Sequence, residues 1–105
     1  MKMIRAIIRP EKEDDVIKGL EAAGFPSVTK MDVLGRGKQK GIQVGSATYD
    51  ELAKTMVMVV VEDAMLDKAM AAISQSAKTG NFGDGKLFVT GVEKTLTIRT
   101  GKAGI

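Results

Sequence analysis

Alternating apolar and charged residues near the start of the chain predict a β-strand over residues 3–9. Every second position is apolar, and Arg5 and Arg9 fall between these positions, which is the two-residue period of a half-buried strand. We expect the core-facing residues of this strand to be Ile4, Ala6 and Ile8.

A helix is predicted directly after this strand. Pro10 suits a first helical turn, and the acidic residues that follow it interact favourably with the positive end of a helix. Apolar residues then recur at helical spacing until Gly24, which ends the pattern. The expected buried stripe consists of Val16, Ile17, Leu20 and Ala23.

The middle of the chain is less regular. Residues 28–34 indicate a second strand, and a polar stretch then reaches from Gly35 to about Lys54, with possible helical content over residues 49–53. Residues 55–61 form the strongest β-branched and apolar run of the sequence, so they predict a third strand.

A second helix is predicted to begin at Glu62 and Asp63, and strands over residues 88–92 and 96–99 complete the chain. The expected buried face of this helix consists of Leu66, Ala69, Met70, Ile73 and Ala77. The order strand, helix, strand therefore occurs twice, with a long loop between strands two and three. This order predicts an α+β, ferredoxin-like double βαβ fold with an antiparallel sheet, in one domain over residues 1–105.

The third strand is apolar on both faces, which the two helices of such a fold cannot both cover. Exposing several large side chains would forgo roughly 1.5–3 kcal/mol each of burial free energy. We therefore expect a homo-oligomer in which sheet faces pack together. Met56, Met58 and Val60 lie on one face of this strand, and Val57, Val59 and Val61 lie on the other.

Composition excludes several kinds of site. The 105 residues include no cysteine and no histidine, so disulfides, thiolate chemistry, the usual general base and the most common metal ligand are missing. The formal charge of +3 permits acidic ligands without demanding nucleic acid. Charged residues interrupt the apolar N-terminal run, so neither a signal peptide nor a membrane span is predicted, and we expect a cytoplasmic protein.

Residues 80–86 match the spacing G-x-x-x-x-G-K of a phosphate-binding loop, but in reversed context. A helix precedes this glycine loop and a strand follows it. Leu87 also stands where a magnesium-binding hydroxyl is required, so a P-loop ATPase is excluded. Two interpretations remain open: the three glycines and Lys86 bind a phosphate through backbone N–H groups, or Asp84 and Gly85 simply form a tight turn.

The polar stretch begins with three glycines and three cations within residues 35–41. This run is either a solvated surface loop or the basic part of a functional loop. Unstructured spans of about 20 residues in compact domains are usually functional, so the length favours a site for a negatively charged ligand.

Four segments together resemble the PII nitrogen-regulatory signal proteins, in the family's order and over nearly the whole chain. They are residues 3–10, residues 35–41 with Gln39-Lys40-Gly41, residues 79–89, and residues 98–101. The resemblance implies a trimer of ferredoxin-like subunits that holds ATP or ADP in the clefts between subunits. It also implies 2-oxoglutarate and Mg²⁺ as effectors, and a regulator that is not an enzyme.

The resemblance also implies site residues, position by position. The glycine loop becomes a phosphate cradle, and Arg99 reaches it from a neighbouring subunit. Gln39 matches the family's contact to both magnesium and 2-oxoglutarate, and Lys54 matches the lysine that pairs with a 2-oxoglutarate carboxylate. The implied nucleotide site consists of Thr29, Gly37, Lys38, Gln39, Val60, Gly83, Asp84, Gly85, Lys86 and Arg99. The implied 2-oxoglutarate site consists of Gln39, Lys40, Gly41, Lys54 and Gly83.

Some positions depart from the family pattern. Lys38 and Thr97 stand where arginines are typical, so charge or bidentate geometry is lost there. Tyr49 has no secure alignment to the tyrosine that some members uridylylate, so uridylylation is not predicted. The long loop is shorter than in bacterial members and resembles that of the nitrogenase-linked branch found in archaea and some anaerobic bacteria.

The resemblance thus predicts a nitrogen-status sensor that inhibits nitrogenase by docking its long loop on the dinitrogenase component, alone or with a PII-like paralogue. Control of an ammonium transporter or glutamine synthetase is the alternative within the family. An RNA-binding module shares the fold order but needs stacking aromatics, and residues 55–61 have none. A small phosphate-cleaving enzyme would depend on electrostatics alone.

Overall fold

A computed structural model describes residues 1–36, 42–44, 47–49 and 51–105. Within these residues the chain forms two α-helices and eight strands, and short 3₁₀ turns precede both helices. In order, the elements are β1 (Lys2–Ile8), α1 (Glu13–Ala22), β2 (Thr29–Gly35), β3 (Ile42–Val44), β4 (Ala47–Tyr49), β5 (Leu52–Val61), α2 (Leu66–Ala77), β6 (Gly85–Gly91), β7 (Leu96–Thr97) and β8 (Lys102–Ala103).

Four strands form one antiparallel sheet in the order β2-β5-β1-β6. In its register, Ile4 of β1 lies opposite Val59 of β5 on one side and Val89 of β6 on the other. The two βαβ units therefore interleave, because β5 inserts between β1 and β2. This topology confirms the predicted ferredoxin-like double βαβ fold.

The core lies between one face of this sheet and the two helices. The predicted face of β1 is confirmed, since Ile4, Ala6 and Ile8 are each at most 2% exposed. The predicted buried faces of the two helices are confirmed in part, since five of their residues are buried in the core. From the helices, the core receives Val16, Leu20, Ala69, Ile73 and Ala77.

The long loop contains more regular structure than the sequence predicted. The possible helix over residues 49–53 is wrong, because Tyr49 ends β4 and β5 already begins at Leu52. The strands β3 and β4 pair as a hairpin. The first residues of β5 extend past the end of β1, and they pair with β2 as far as Gly35, which lies opposite Leu52. This pairing provides partners for backbone groups of β5 there.

The C-terminal strands also differ from the prediction. β6 begins at Gly85 rather than at residue 88, because its ladder with β1 continues until Gly85 lies opposite Ile8. The last predicted strand, residues 96–99, is limited to β7, which pairs with β8 as a short hairpin. Arg99 lies in the turn of this hairpin, where the N–H of Gly101 donates to the Thr97 carbonyl at 2.7 Å.

The other face of the main sheet, called the open face below, has no helix on it. By register it carries Met56, Met58 and Val60 of β5, which are only partly buried in the isolated chain. Neighbouring strands add large apolar side chains to it, including Phe88, which is 51% exposed, and Met31, which is 43% exposed. None of the helices in the described part of the chain combines the length and apolar character that a membrane crossing requires.

Candidate functional site

The glycine loop lies at the end of the sheet where β1 stops and β6 starts. It follows α2 and returns the chain to β6 through three glycines with positive φ: Gly80 at 88°, Gly83 at 96° and Gly85 at 104°. At Gly85 the backbone touches β1, since a Cβ there would be 1.7 Å from the Ile7 carbonyl oxygen. Only glycine permits this approach of the two backbones.

The Asp84 carboxylate closes the first half of the loop. It accepts the N–H groups of Thr79 and Gly80, both at 2.8 Å, together with the hydroxyl of Thr79. The N–H of Asn81 in turn donates to the Thr79 hydroxyl oxygen at 3.2 Å. Hydrogen bonds from the Thr79 hydroxyl, the two backbone N–H groups and Arg9 hold the pKa of Asp84 well below its usual range.

Two cations contact the second half of the loop. Arg9 donates from Nη2 to the Phe82 carbonyl at 2.6 Å and from Nε to Asp84 at 3.1 Å. Lys54 donates from Nζ to the Gly83 carbonyl at 2.7 Å. Arg9 directly follows β1 and Lys54 lies on β5, and the antiparallel pairing of those strands brings the two residues together beside the loop.

The loop keeps unused donors. Within the described residues, the N–H groups of Phe82, Gly83 and Asp84 have no hydrogen-bond acceptor. Lys86 follows on β6, opposite Ile7 and therefore on the open face. Adjacent free N–H groups beside ammonium and guanidinium groups form an arrangement that suits an anion. A helix precedes the loop, so Asp84 and Gly85 do not form the two-residue turn of a hairpin.

The predicted site residues fall into separate groups within one protomer. Lys54 and Gly83 are in direct contact, and residues 84–86 continue the same loop.

Thr29 belongs to a second group. It lies on β2, which is one edge strand of the sheet, whereas β6 is the other edge strand. Three strand spacings separate these edges, which is about 14 Å. Val60 lies on the open face near Thr29, on the strand that pairs with β2.

The remaining predicted residues are elsewhere. Arg99 is exposed in the β7–β8 turn and makes no hydrogen bond or ion pair to the glycine loop within the described part of the chain. Gly37, Lys38, Gln39, Lys40 and Gly41 lie outside the described residues. A single protomer therefore does not bring the whole predicted nucleotide site together.

Sequence reasoning missed two residues of the loop's own network, Arg9 and Thr79. Arg9 was expected only on the outer face of the first strand, and its side chain contacts a segment more than 70 positions away. Thr79 offered a weak local signal, because a threonine hydroxyl often accepts the backbone N–H two residues further on, as it does here from Asn81. No group of three or more metal-ligating side chains occurs in the described residues.

Comparison with known proteins places these features in context. The chain matches the family model described as "Nitrogen regulatory protein P-II" over residues 1–102. It is 58% identical to "Nitrogen fixation nifHD1 region GlnB-like protein 1" of Methanosarcina barkeri over 105 residues, which is the full length of both chains. It is 53% identical, again over the full length of both, to "Nitrogen fixation nifHD region GlnB-like protein 1" of Methanothermobacter marburgensis. Identity to "Nitrogen regulatory protein P-II 2" of Methanothermobacter thermautotrophicus is 45%, covering 99% of this chain and 94% of that one.

Proposed function

Because this chain belongs to the nitrogen regulatory protein P-II family, we propose that it senses nitrogen status by binding ATP or ADP together with 2-oxoglutarate, and that it inhibits nitrogenase through its long loop. P-II proteins are regulatory signal proteins, and they generally bind these effectors. The observation that carries the proposal is the hydrogen bond from Lys54 to Gly83. It joins the proposed 2-oxoglutarate lysine to the proposed phosphate cradle.

The donors of the glycine loop fit a phosphate chain. Free N–H groups at Gly83 and Asp84 would bind phosphate oxygens, and Lys86 would add a positive charge on the same side of the sheet. The Lys54 ammonium has three N–H donors, so it can keep the Gly83 carbonyl and still pair with a carboxylate. Gln39 would contact Mg²⁺ and 2-oxoglutarate. A site with these groups holds ATP as a signal, and it offers no histidine or cysteine for hydrolysis.

A trimer would complete the proposed site. Thr29 and the glycine loop lie at opposite edges of one sheet, so their meeting in one cleft requires two protomers. Arg99, which lies on the C-terminal hairpin, would likewise reach the phosphates of a neighbour. The open face supplies the apolar surface that this assembly needs.

We expect the Met58→Asp variant to dissociate into monomers, because an unpaired carboxylate would be buried on the packed open face. Sedimentation velocity at micromolar concentration should show a trimer for the wild type and a slower species for the variant. The matched control is Lys18→Asp, an exposed position on α1, which should leave the assembly intact. A monomeric wild type would contradict the proposed assembly.

Nitrogenase is the proposed target because the relatives with 53–58% identity are named for the nifHD region. The relative at 45% identity has a general P-II name without that designation, so the closer likeness favours the nitrogen-fixation branch. Purified protein, with any P-II-like partner chain, should inhibit acetylene reduction by nitrogenase, and 2-oxoglutarate with ATP should relieve the inhibition. Inhibition that does not respond to these ligands would contradict the sensing mechanism.

Calorimetry tests effector binding directly. The wild type should bind 2-oxoglutarate only when Mg²⁺ and ATP are present. Lys54→Met should weaken 2-oxoglutarate binding roughly 10- to 100-fold, because it removes a charge-assisted hydrogen bond, and should affect ATP affinity less. Lys68→Met, at an exposed position of α2, is the control and should bind both ligands normally. Equal 2-oxoglutarate affinity in both variants would exclude the proposed role of Lys54.

A further inference from the structure

The orientation of two peptide groups in the glycine loop is set from outside the loop. In a trans peptide the carbonyl oxygen and the N–H point to opposite sides. The Phe82 carbonyl shares its peptide group with the Gly83 N–H, and the Gly83 carbonyl shares its group with the Asp84 N–H. Contacts that hold these two carbonyls therefore also determine the direction in which both N–H groups point.

Arg9 makes more contacts with this loop than any other side chain outside it in the described structure. It donates to the Phe82 carbonyl at 2.6 Å and to the Asp84 carboxylate at 3.1 Å. Its guanidinium also lies against Gly83, where a Cβ would be 3.2 Å from Nη2. One planar group thus contacts three consecutive residues, which a lysine cannot do in the same way because its three N–H donors radiate from a single nitrogen.

The surroundings of Arg9 hold it in this position. Its side chain is 24% exposed. Arg9 directly precedes Pro10, at the point where the chain turns from β1 toward α1. The only other carboxylate close to it within the described residues is Glu11, at 3.9 Å, and Glu11 is largely exposed. Exposed pairs of this kind contribute little, so the loop contacts dominate.

We propose that Arg9 is a positioning residue of the anion site: by holding the Phe82 carbonyl it directs the Gly83 N–H group toward the phosphates before any ligand binds, and by pairing with the Asp84 carboxylate it keeps the first half of the loop closed. The proposal rests on the proposed function for the identity of the anion. The role of Arg9 goes beyond the proposed function, because Arg9 orients the backbone of the loop and does not itself contact the anion. A loop ordered in advance avoids the entropic cost of ordering on binding, so Arg9 raises nucleotide affinity.

Amide hydrogen exchange of the ligand-free protein tests the positioning role without any nucleotide. In Arg9→Ala the amides of Thr79 and Gly80 should exchange about 10-fold faster or more, because Asp84 loses the partner that orients it. Amides in the centre of β1 and β5 should keep their protection, which shows that the fold is intact. Arg9→Lys should fall between the wild type and Arg9→Ala, because one donor nitrogen replaces the two that Arg9 uses. Lys12→Ala removes a nearby surface cation and should change nothing.

Calorimetry with ATP and Mg²⁺ then tests the consequence. Arg9→Ala should bind ATP about 10- to 100-fold more weakly than the wild type. Combination with Asp84→Asn should cost less than the sum of the two single effects, because the residues act through one contact. Unchanged exchange of the loop amides in Arg9→Ala would overturn the proposal, as would additive losses or a loss confined to 2-oxoglutarate. If the wild type binds no nucleotide, the proposed function fails while the exchange comparison still decides the role of Arg9.

Discussion

Replacing Gly85 with alanine is expected to abolish nucleotide binding, with a loss of affinity above 100-fold. The added Cβ would be 1.7 Å from the Ile7 carbonyl oxygen and 2.8 Å from its carbon, and both are backbone atoms that cannot rotate away. The residue also has φ at 104°, which costs a non-glycine residue roughly 1–3 kcal/mol. β6 must therefore separate from β1 at the point where the glycine loop joins the sheet.

The matched control for this substitution is Gly91→Ala at the other end of the same strand. A Cβ at Gly91 has no atom within 4 Å. Thermal unfolding should show a loss of about 10 °C in Tm for Gly85→Ala and a change within about 2 °C for Gly91→Ala, given the usual response of domains of this size. Calorimetry with ATP completes the comparison. Similar behaviour of the two variants would show that the close contact at Gly85 does not matter.

Asp84→Asn is expected to open the first half of the glycine loop and to weaken ATP binding by about 10-fold or more. The carboxylate accepts two backbone N–H groups, a hydroxyl and a guanidinium N–H, so it needs acceptors on both oxygens. An asparagine replaces one of these oxygens with an NH₂ group. This group would point at hydrogen-bond donors, and it cannot accept a hydrogen bond from them. Glu93→Gln, an exposed position after β6, is the isosteric control and should bind ATP normally.

The pH dependence of this substitution has a definite sign. Because the pKa of Asp84 is lowered in the folded protein, its stabilising effect is fully present above the ordinary pKa of 3.8. The effect is lost as pH falls through the lower folded value. The difference in urea midpoint between wild type and Asp84→Asn should therefore stay constant from pH 5 to pH 8 and shrink in stronger acid. A difference that already declined near neutral pH would contradict the assigned network.

Local patterns in the sequence were enough to predict the main elements. The alternation in residues 3–9 and the helical spacing around Leu20 and Ile73 reflect which side chains are buried, and the apolar run of residues 55–61 reflects a central strand. These parts of the core are therefore as expected. The predicted helix near residue 50 failed for a nonlocal reason. The polar residues there lack a clear period, and pairing of β5 with β2 determined their conformation. Arg99 likewise lies in a turn because β7 found its partner in β8.

By itself the sequence determined the order of the main strands and helices, the family and the presence of a glycine loop with a lysine after it. The elements and the loop depend on residues close together in the chain, and the family depends on the order of four short segments, so local pattern and spacing reveal them. Only the tertiary structure decided which groups control the loop, because Arg9 and Lys54 meet it through the antiparallel register of β1, β5 and β6. It also separated Thr29 from the loop by the width of the sheet. Such distances are set by strand pairing over the whole chain, and no local pattern encodes them.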